Sequence, residues 1–189
     1  MEILTRTELK IRFVEIAEKI LNGAIFIYAT DTIYGIGCNA LDKKAVQKIR
    51  DLKTGRPTAP FSIIVPSAEW IKQNCHISKK AVKWLQNLPG PYTLLLPLKN
   101  KQAIADNIAP DVESVGIRYP DHWLTAFIEK LDLPIVTTSA NKTGEPFMTS
   151  LENLDPDLEK GSEFIIYEGP KEGRPSKIIN VEKDEVKER

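Results

Sequence analysis

The sequence predicts an α/β domain built around a twisted, mixed β-sheet. Apolar runs of strand length alternate with segments of helical period along most of the chain. Serine, threonine or aspartate stands where several of those helical segments would begin. Some connections are helical crossovers, which suit parallel neighbours, and others are short turns, which suit antiparallel ones. At 189 residues the chain is sized for one substantial core, so residues 1–189 are read as a single domain.

The elements follow in order. Leu9, Phe13, Ile16, Ala17 and Ile20 recur at helical spacing behind a Thr5/Glu8 capping-box pattern, and Gly23 closes that helix. "AIFIYA" then reads as a buried strand, Asp42 caps a helix running to about Leu52, and "FSIIV" is a second strand. Ser67 and Ser78 are N-caps of short helices containing Trp70 and Trp84. "LPGPY" forces a turn before the strand "TLLLPL". "SVGIRYP" is a strand ended by proline, "DHWLTAFIEKL" a helix, and "PIVTTSA" a buried strand. "FIIYEG" and "KIINV" are the last strands, and "GPKEGRPS" between them reads as a turn joining antiparallel neighbours.

Composition narrows the function classes. Hydrophobic residues make up 42% and charged residues 28%, and the 13 prolines are scattered, which describes a folded globular chain rather than a disordered one. Lysine plus arginine and aspartate plus glutamate each total 26, so no bulk field draws the protein to nucleic acid or membrane, and any anion site must be local. The N-terminus lacks a signal-peptide apolar core and no run reaches the length of a membrane span, so a cytoplasmic protein is expected. Cys38 and Cys75 lie far apart without CxxC spacing and are expected to be reduced. With only His76 and His122 to add, no protein metal cage is expected.

The residues that could carry chemistry lie in five segments. "ATDTIYGIG" offers Thr30, Asp31, Thr32 and Tyr34, with Gly35 and Gly37 freeing the backbone to turn or to approach a ligand. It either holds a small polar molecule or satisfies turn amides, and it is neither a Walker loop nor a dinucleotide fingerprint. Lys53 and Arg56 bracket a Thr-Gly turn at a helix end, as an anion-binding pair or as a solvated terminus. Arg118 ends an apolar run, so an anionic partner is expected there, from a ligand or from an Asp or Glu of the protein. Thr137, Thr138, Ser139, Asn141 and Gly144 leave a strand at its carboxyl end, where α/β sheets keep their ligands. Arg174 and Ser176 precede the last strand. With neither a Ser-His-Asp set nor HExxH, this inventory favours binding phosphate and carboxylate, with chemistry by positioning and charge stabilisation.

In the same order, "TDTIYGIGCNA", "KTGRPTAPFSIIV", "GPYTLLLP", "VGIRYPDH", "TTSANKTGEP" and "RPSKIINV" resemble the threonylcarbamoyl-AMP synthase family built on the YrdC domain, over residues 9 to 182. The resemblance implies a concave ligand cavity in the short form of the family, which lacks the added C-terminal domain of longer members. It implies a nucleotidyltransferase reaction in which L-threonine, bicarbonate and ATP, with Mg²⁺, give threonylcarbamoyl-AMP and pyrophosphate. The product would pass to a transferase that builds N6-threonylcarbamoyladenosine on tRNA; the alternative is a YrdC-like RNA- or nucleotide-binding protein without synthase activity. By the same resemblance Thr32, Tyr34 and Arg118 hold threonine. Lys53 and Arg56 are the catalytic pair on the ATP phosphates, joined on the nucleotide side by Ser139, Asn141, Arg174 and Ser176. The chain departs from the family pattern at Ala29, Lys177 and Asn180, and two residues rather than one separate Lys53 from Arg56.

Overall fold

The computed structural model describes residues 1–55 and 58–188. Among them, ten strands form one sheet whose spatial order is β1 (Glu2–Leu4), β8 (Phe164–Ile166), β2 (Phe26–Tyr28), β3 (Gly35–Gly37), β7 (Ile135–Ser139), β4 (Ser62–Ile64), β6 (Ser114–Arg118), β5 (Tyr92–Pro97), β9 (Lys177–Asn180) and β10 (Glu185–Lys187). β1 and β2 flank β8 in parallel, β4 runs parallel to β6 and β5 to β9, while the other neighbours are antiparallel. The sheet is therefore mixed, as expected.

Alternation along the strands sends side chains to opposite faces. One face carries Ile27, Ile36, Ile63, Leu94, Ile117 and Val136 into a core closed by helices α3 (Lys43–Lys53), α4 (Ala68–Asn74), α5 (Lys79–Leu85) and α7 (Pro156–Gly161). The other face carries Phe26, Tyr28, Ile64, Ile135 and Phe164 against α1 (Arg6–Ile11), α2 (Phe13–Leu21) and α6 (Leu124–Leu131). That second apolar cover spans only part of the face. Two residues beyond Ile135 stands Thr137, and two residues before Ile64 stands Ser62, so the face that is oily over β2 and β8 becomes polar over β4, β5 and β6.

The caps form as read. Thr5 and Glu8 make a reciprocal capping box, Asp42 accepts from the amides of Lys44 and Ala45, and Ser67 and Ser78 accept from the amides of Trp70 and Ala81. Other expectations need correction. The single N-terminal helix is two, broken at Arg12, whose side chain is drawn to Glu2 and Glu15. The glycines read as a loop, Gly35 and Gly37, form β3. A Cβ on Gly37 would lie 2.0 Å from the Val136 carbonyl oxygen, so glycine serves close strand approach there rather than turning. "GPKEGRPS" does not join neighbours, since β8 lies between β1 and β2 while β9 lies beside β5. β1, β10 and α7 had no signal strong enough to be read, each being six residues or shorter.

Candidate functional site

The polar half of the sheet forms the floor of a narrow cleft lined by Thr32, Ile33, Tyr34, Gly35, Ser62, Thr93, Arg118, Thr137, Thr138, Ser139, Pro175 and Ser176. A larger cavity of about 590 Å³ lies near the other end of β5 and β6, under His76, Leu98, Ile104 and Val112, and shares no lining residue with the cleft. Of the predicted site residues, Thr32, Tyr34, Arg118, Ser139 and Ser176 line the cleft.

Arg118 organises its centre. Its Nη2 lies 2.8 Å from an Asp31 carboxylate oxygen, with the two side chains 8% and 9% exposed, and it also donates to the Thr32 hydroxyl at 3.2 Å. Thr30 donates to the Ile33 carbonyl, so the 3.0 Å contact between the two threonine hydroxyls runs from Thr32 to Thr30. A directed chain results, from guanidinium to Thr32 to Thr30 to backbone. Burial pushes the arginine pKa down and the Asp31 carboxylate opposes that shift. The Nε–H of Arg118 is buried and has no partner among the described residues, a costly state for a donor on a charged group and one that an anionic ligand would relieve. Of the two alternatives for the anionic partner of Arg118, the structure shows the one from the protein, Asp31.

A second cluster forms at the carboxyl end of β7. Lys53, at the end of α3, donates to the carbonyls of Ser139 and Asn141, both at 2.7 Å. The Ser139 hydroxyl donates to the Asn141 side-chain oxygen, and the Asn141 amide donates to the Glu145 carbonyl. Lys53 is thus joined into one unit with Ser139 and Asn141, 86 and 88 residues away in sequence. Arg56 lies outside the described residues.

Tyr34 is fully buried, and its hydroxyl donates to the Gly169 carbonyl at 2.7 Å and accepts from the Glu168 amide at 3.0 Å. Tyr34 thus lines the cleft with its hydroxyl bonded to the segment that ends at Pro175 and Ser176. Ser176 is buried and shares a 2.7 Å hydroxyl contact with Thr93, on the floor. Arg174 is exposed and is not among the lining residues. Two of the departures also face elsewhere: Lys177 is exposed and paired with Glu188, and Asn180 accepts from the Lys183 amide in the turn to β10. Ala29 is buried.

Sequence reading missed Ser62 and Thr93, which line the cleft, and the carboxylate role of Asp31. A signal was present: in "SVGIR" every second residue, Ser114, Gly116 and Arg118, is small, polar or charged, and in "IVTTS" Thr137 and Ser139 keep the same spacing, which marks a wet face on a buried strand.

The Sua5/YciO/YrdC family model, whose description reads "Telomere recombination", matches residues 18–188. The chain belongs to this family. Within it, a protein of Methanocaldococcus jannaschii provisionally named a threonylcarbamoyl-AMP synthase is 38% identical over 172 residues, which is 89% of this chain and 80% of that protein. The threonylcarbamoyl-AMP synthase of Bacillus subtilis is 34% identical over 77% of this chain, which spans only 43% of that longer relative. Among solved structures of the family, Pyrococcus abyssi Sua5 complexed with L-threonine has a TM-score of 0.83 at 28% identity, covering 95% of this chain and 53% of that one.

Proposed function

We propose that this member of the family is a threonylcarbamoyl-AMP synthase, a nucleotidyltransferase that uses L-threonine, bicarbonate and ATP. The observation that carries the reading is the buried, unpartnered Nε–H of Arg118 in a cleft walled by hydroxyls. It is joined by the likeness to a structure holding L-threonine. A carboxylate fits there: Asp31 neutralises part of the guanidinium and fixes its plane, while the remaining edge offers a donor to an oxygen.

Lys53, Ser139 and Asn141 are assigned to the nucleotide side, with Ser176 at the boundary between the two ligands. Arg56 is assigned to the phosphates by family likeness alone, and Arg174 is set aside as exposed. Mg²⁺ is assigned to ATP, as part of the substrate. The threonine amine and bicarbonate would give a carbamate and water. A carbamate oxygen would then bond to the α-phosphorus as the bond to the β-phosphate oxygen breaks, pyrophosphate leaving with the electron pair. No protein nucleophile is needed; the chain's part is to align the two ligands and stabilise developing charge.

No helix among the described residues is long and apolar enough to cross a membrane. A cytoplasmic setting, with the labile product passed to a transferase acting on tRNA, completes the proposal. The test is pyrophosphate release and adenylate formation by the purified protein with Mg²⁺, ATP and bicarbonate, with and without L-threonine. Product that depends on threonine supports the reading. Folded protein that binds ATP without turnover would replace it with a nucleotide- or RNA-binding role.

A further inference from the structure

We propose that residues 168–176 are a strap that opens to admit ligand and closes over it, and that Tyr34 is the positioning residue that registers the closed state. The argument begins with access. The Nε–H that a ligand would meet is buried, so some wall of the cleft must move before anything reaches it. The floor strands β4, β5, β6 and β7 each pair with neighbours on both sides, and moving any of them would break two ladders. Residues 169–176 belong to no helix or strand, yet Pro175 and Ser176 line the cleft.

The strap is tied at both ends, by Glu168 to His122 and Trp123 and by Ser176 to Thr93, and at points between. The Tyr34 hydroxyl grips main chain at Glu168 and Gly169. The Lys171 ammonium donates to the Thr30 carbonyl at 2.9 Å, and the Lys171 amide to the Thr149 carbonyl at 2.8 Å. Gly173 lies so near the ligand loop that a Cβ there would fall 1.8 Å from the Thr32 carbonyl oxygen. The contacts of Tyr34, of the Lys171 ammonium and of Gly173 all reach the Thr30–Tyr34 loop, so a ligand touching that loop would sense whether the strap is down. The strap itself follows from this geometry; that L-threonine is the ligand rests on the proposed function.

Two variants loosen the strap by opposite physics. Tyr34→Phe removes the grip and keeps the ring, which stacks on Tyr167, whereas Gly173→Ala inserts a wedge. Both would be followed in the full chain by amide hydrogen exchange across 168–176 and by tryptic cleavage after Lys171, with melting temperature reporting the fold. The expected result is faster exchange in both variants by about 5- to 30-fold, the shift for losing one or two net hydrogen bonds. The KM for threonine should rise more than kcat falls, and saturating L-threonine should slow exchange of the strap in the unaltered protein. Unchanged strap exchange in both folded variants would overturn the proposal, as would threonine binding that leaves strap exchange untouched. If the unaltered protein binds no threonine, the functional reading fails and the strap is judged by the exchange of the variants alone. Should one variant not fold, the other decides.

Discussion

Arg118 and Asp31 form a buried ion pair in which one guanidinium nitrogen is held 2.8 Å from the carboxylate. The carboxylate's second oxygen accepts from the Asp121 amide at 3.2 Å. The pair joins the loop after β2 to the end of β6, so charge in the cleft and the closure of two distant segments depend on one contact.

Removing the carboxylate by Asp31→Asn leaves a buried guanidinium without its counter-charge, and a loss of about 3–5 kcal/mol in unfolding free energy is expected. Arg118→Lys keeps the charge and loses the planar fork, so threonine affinity should fall by about 10- to 150-fold, the equivalent of one charged hydrogen bond of about 1.5–3 kcal/mol. Urea denaturation and titration calorimetry with L-threonine check the two. An Asp31→Asn variant as stable as the parent would show that the pair is not needed to offset burial.

Lys53→Ala should lower kcat/KM for ATP and also destabilise the fold. Taken as a solvated helix end or as a pure phosphate ligand, Lys53 would be dispensable to folding, but its ammonium bonds the Ser139 and Asn141 carbonyls. Leaving them without that donor costs about 1–3 kcal/mol. A denaturant midpoint unchanged by the substitution would contradict the structural half, and unchanged ATP kinetics the functional half.

Gly37→Ala places a methyl group where the Val136 carbonyl stands. Parting β3 from β7 should cost about 1–3 kcal/mol or more and disturb Ser139, which pairs with Gly35 in the same ladder. Thermal denaturation measures the first effect and ATP affinity the second.

Stability should fall on mild acidification through His122. Its Nδ1 accepts from the Leu124 amide, which leaves the proton on Nε2 to meet Glu168. Burial holds the His122 pKa below its ordinary 6.5, against the opposing pull of Glu168. The unfolded chain therefore binds the proton first, so stability is fully present above pH 6.5 and is lost as pH falls through the folded value. Burial pushes Glu168 up, but hydrogen bonding by Trp123, the charge of His122 and the bond to Lys171 leave it below its ordinary 4.5, adding a second loss further into acid. Melting temperatures between pH 4 and 8 should show the first decline in the parent and a flatter upper limb in His122→Gln. Parallel profiles would remove His122 from the account.

Much of the fold was legible because its signals are local. Asp42, Ser67 and Ser78 cap helices through bonds spanning two or three residues, and "AIFIYA", "TLLLPL" and "PIVTTSA" announce buried strands by composition. The three-residue β3 was not legible, because its glycines carry no β-propensity and it exists through pairing with β2 and β7.

By itself the sequence determined the α/β class, the capped helices, the family resemblance and the short inventory of cations and hydroxyls from which a site could be made. Only the tertiary structure decided what those groups touch: that Arg118 takes Asp31 and keeps Nε in reserve, that Lys53 binds the end of β7, and that Tyr34 holds the strap while Arg174 stays outside. The reason is range. Helix caps and strand periods are set by neighbours a few residues apart, whereas Arg118 and Asp31 are 87 residues apart and Tyr34 and Gly169 are 135. Contacts of that separation depend on the order in which strands enter the sheet, which no local pattern carries.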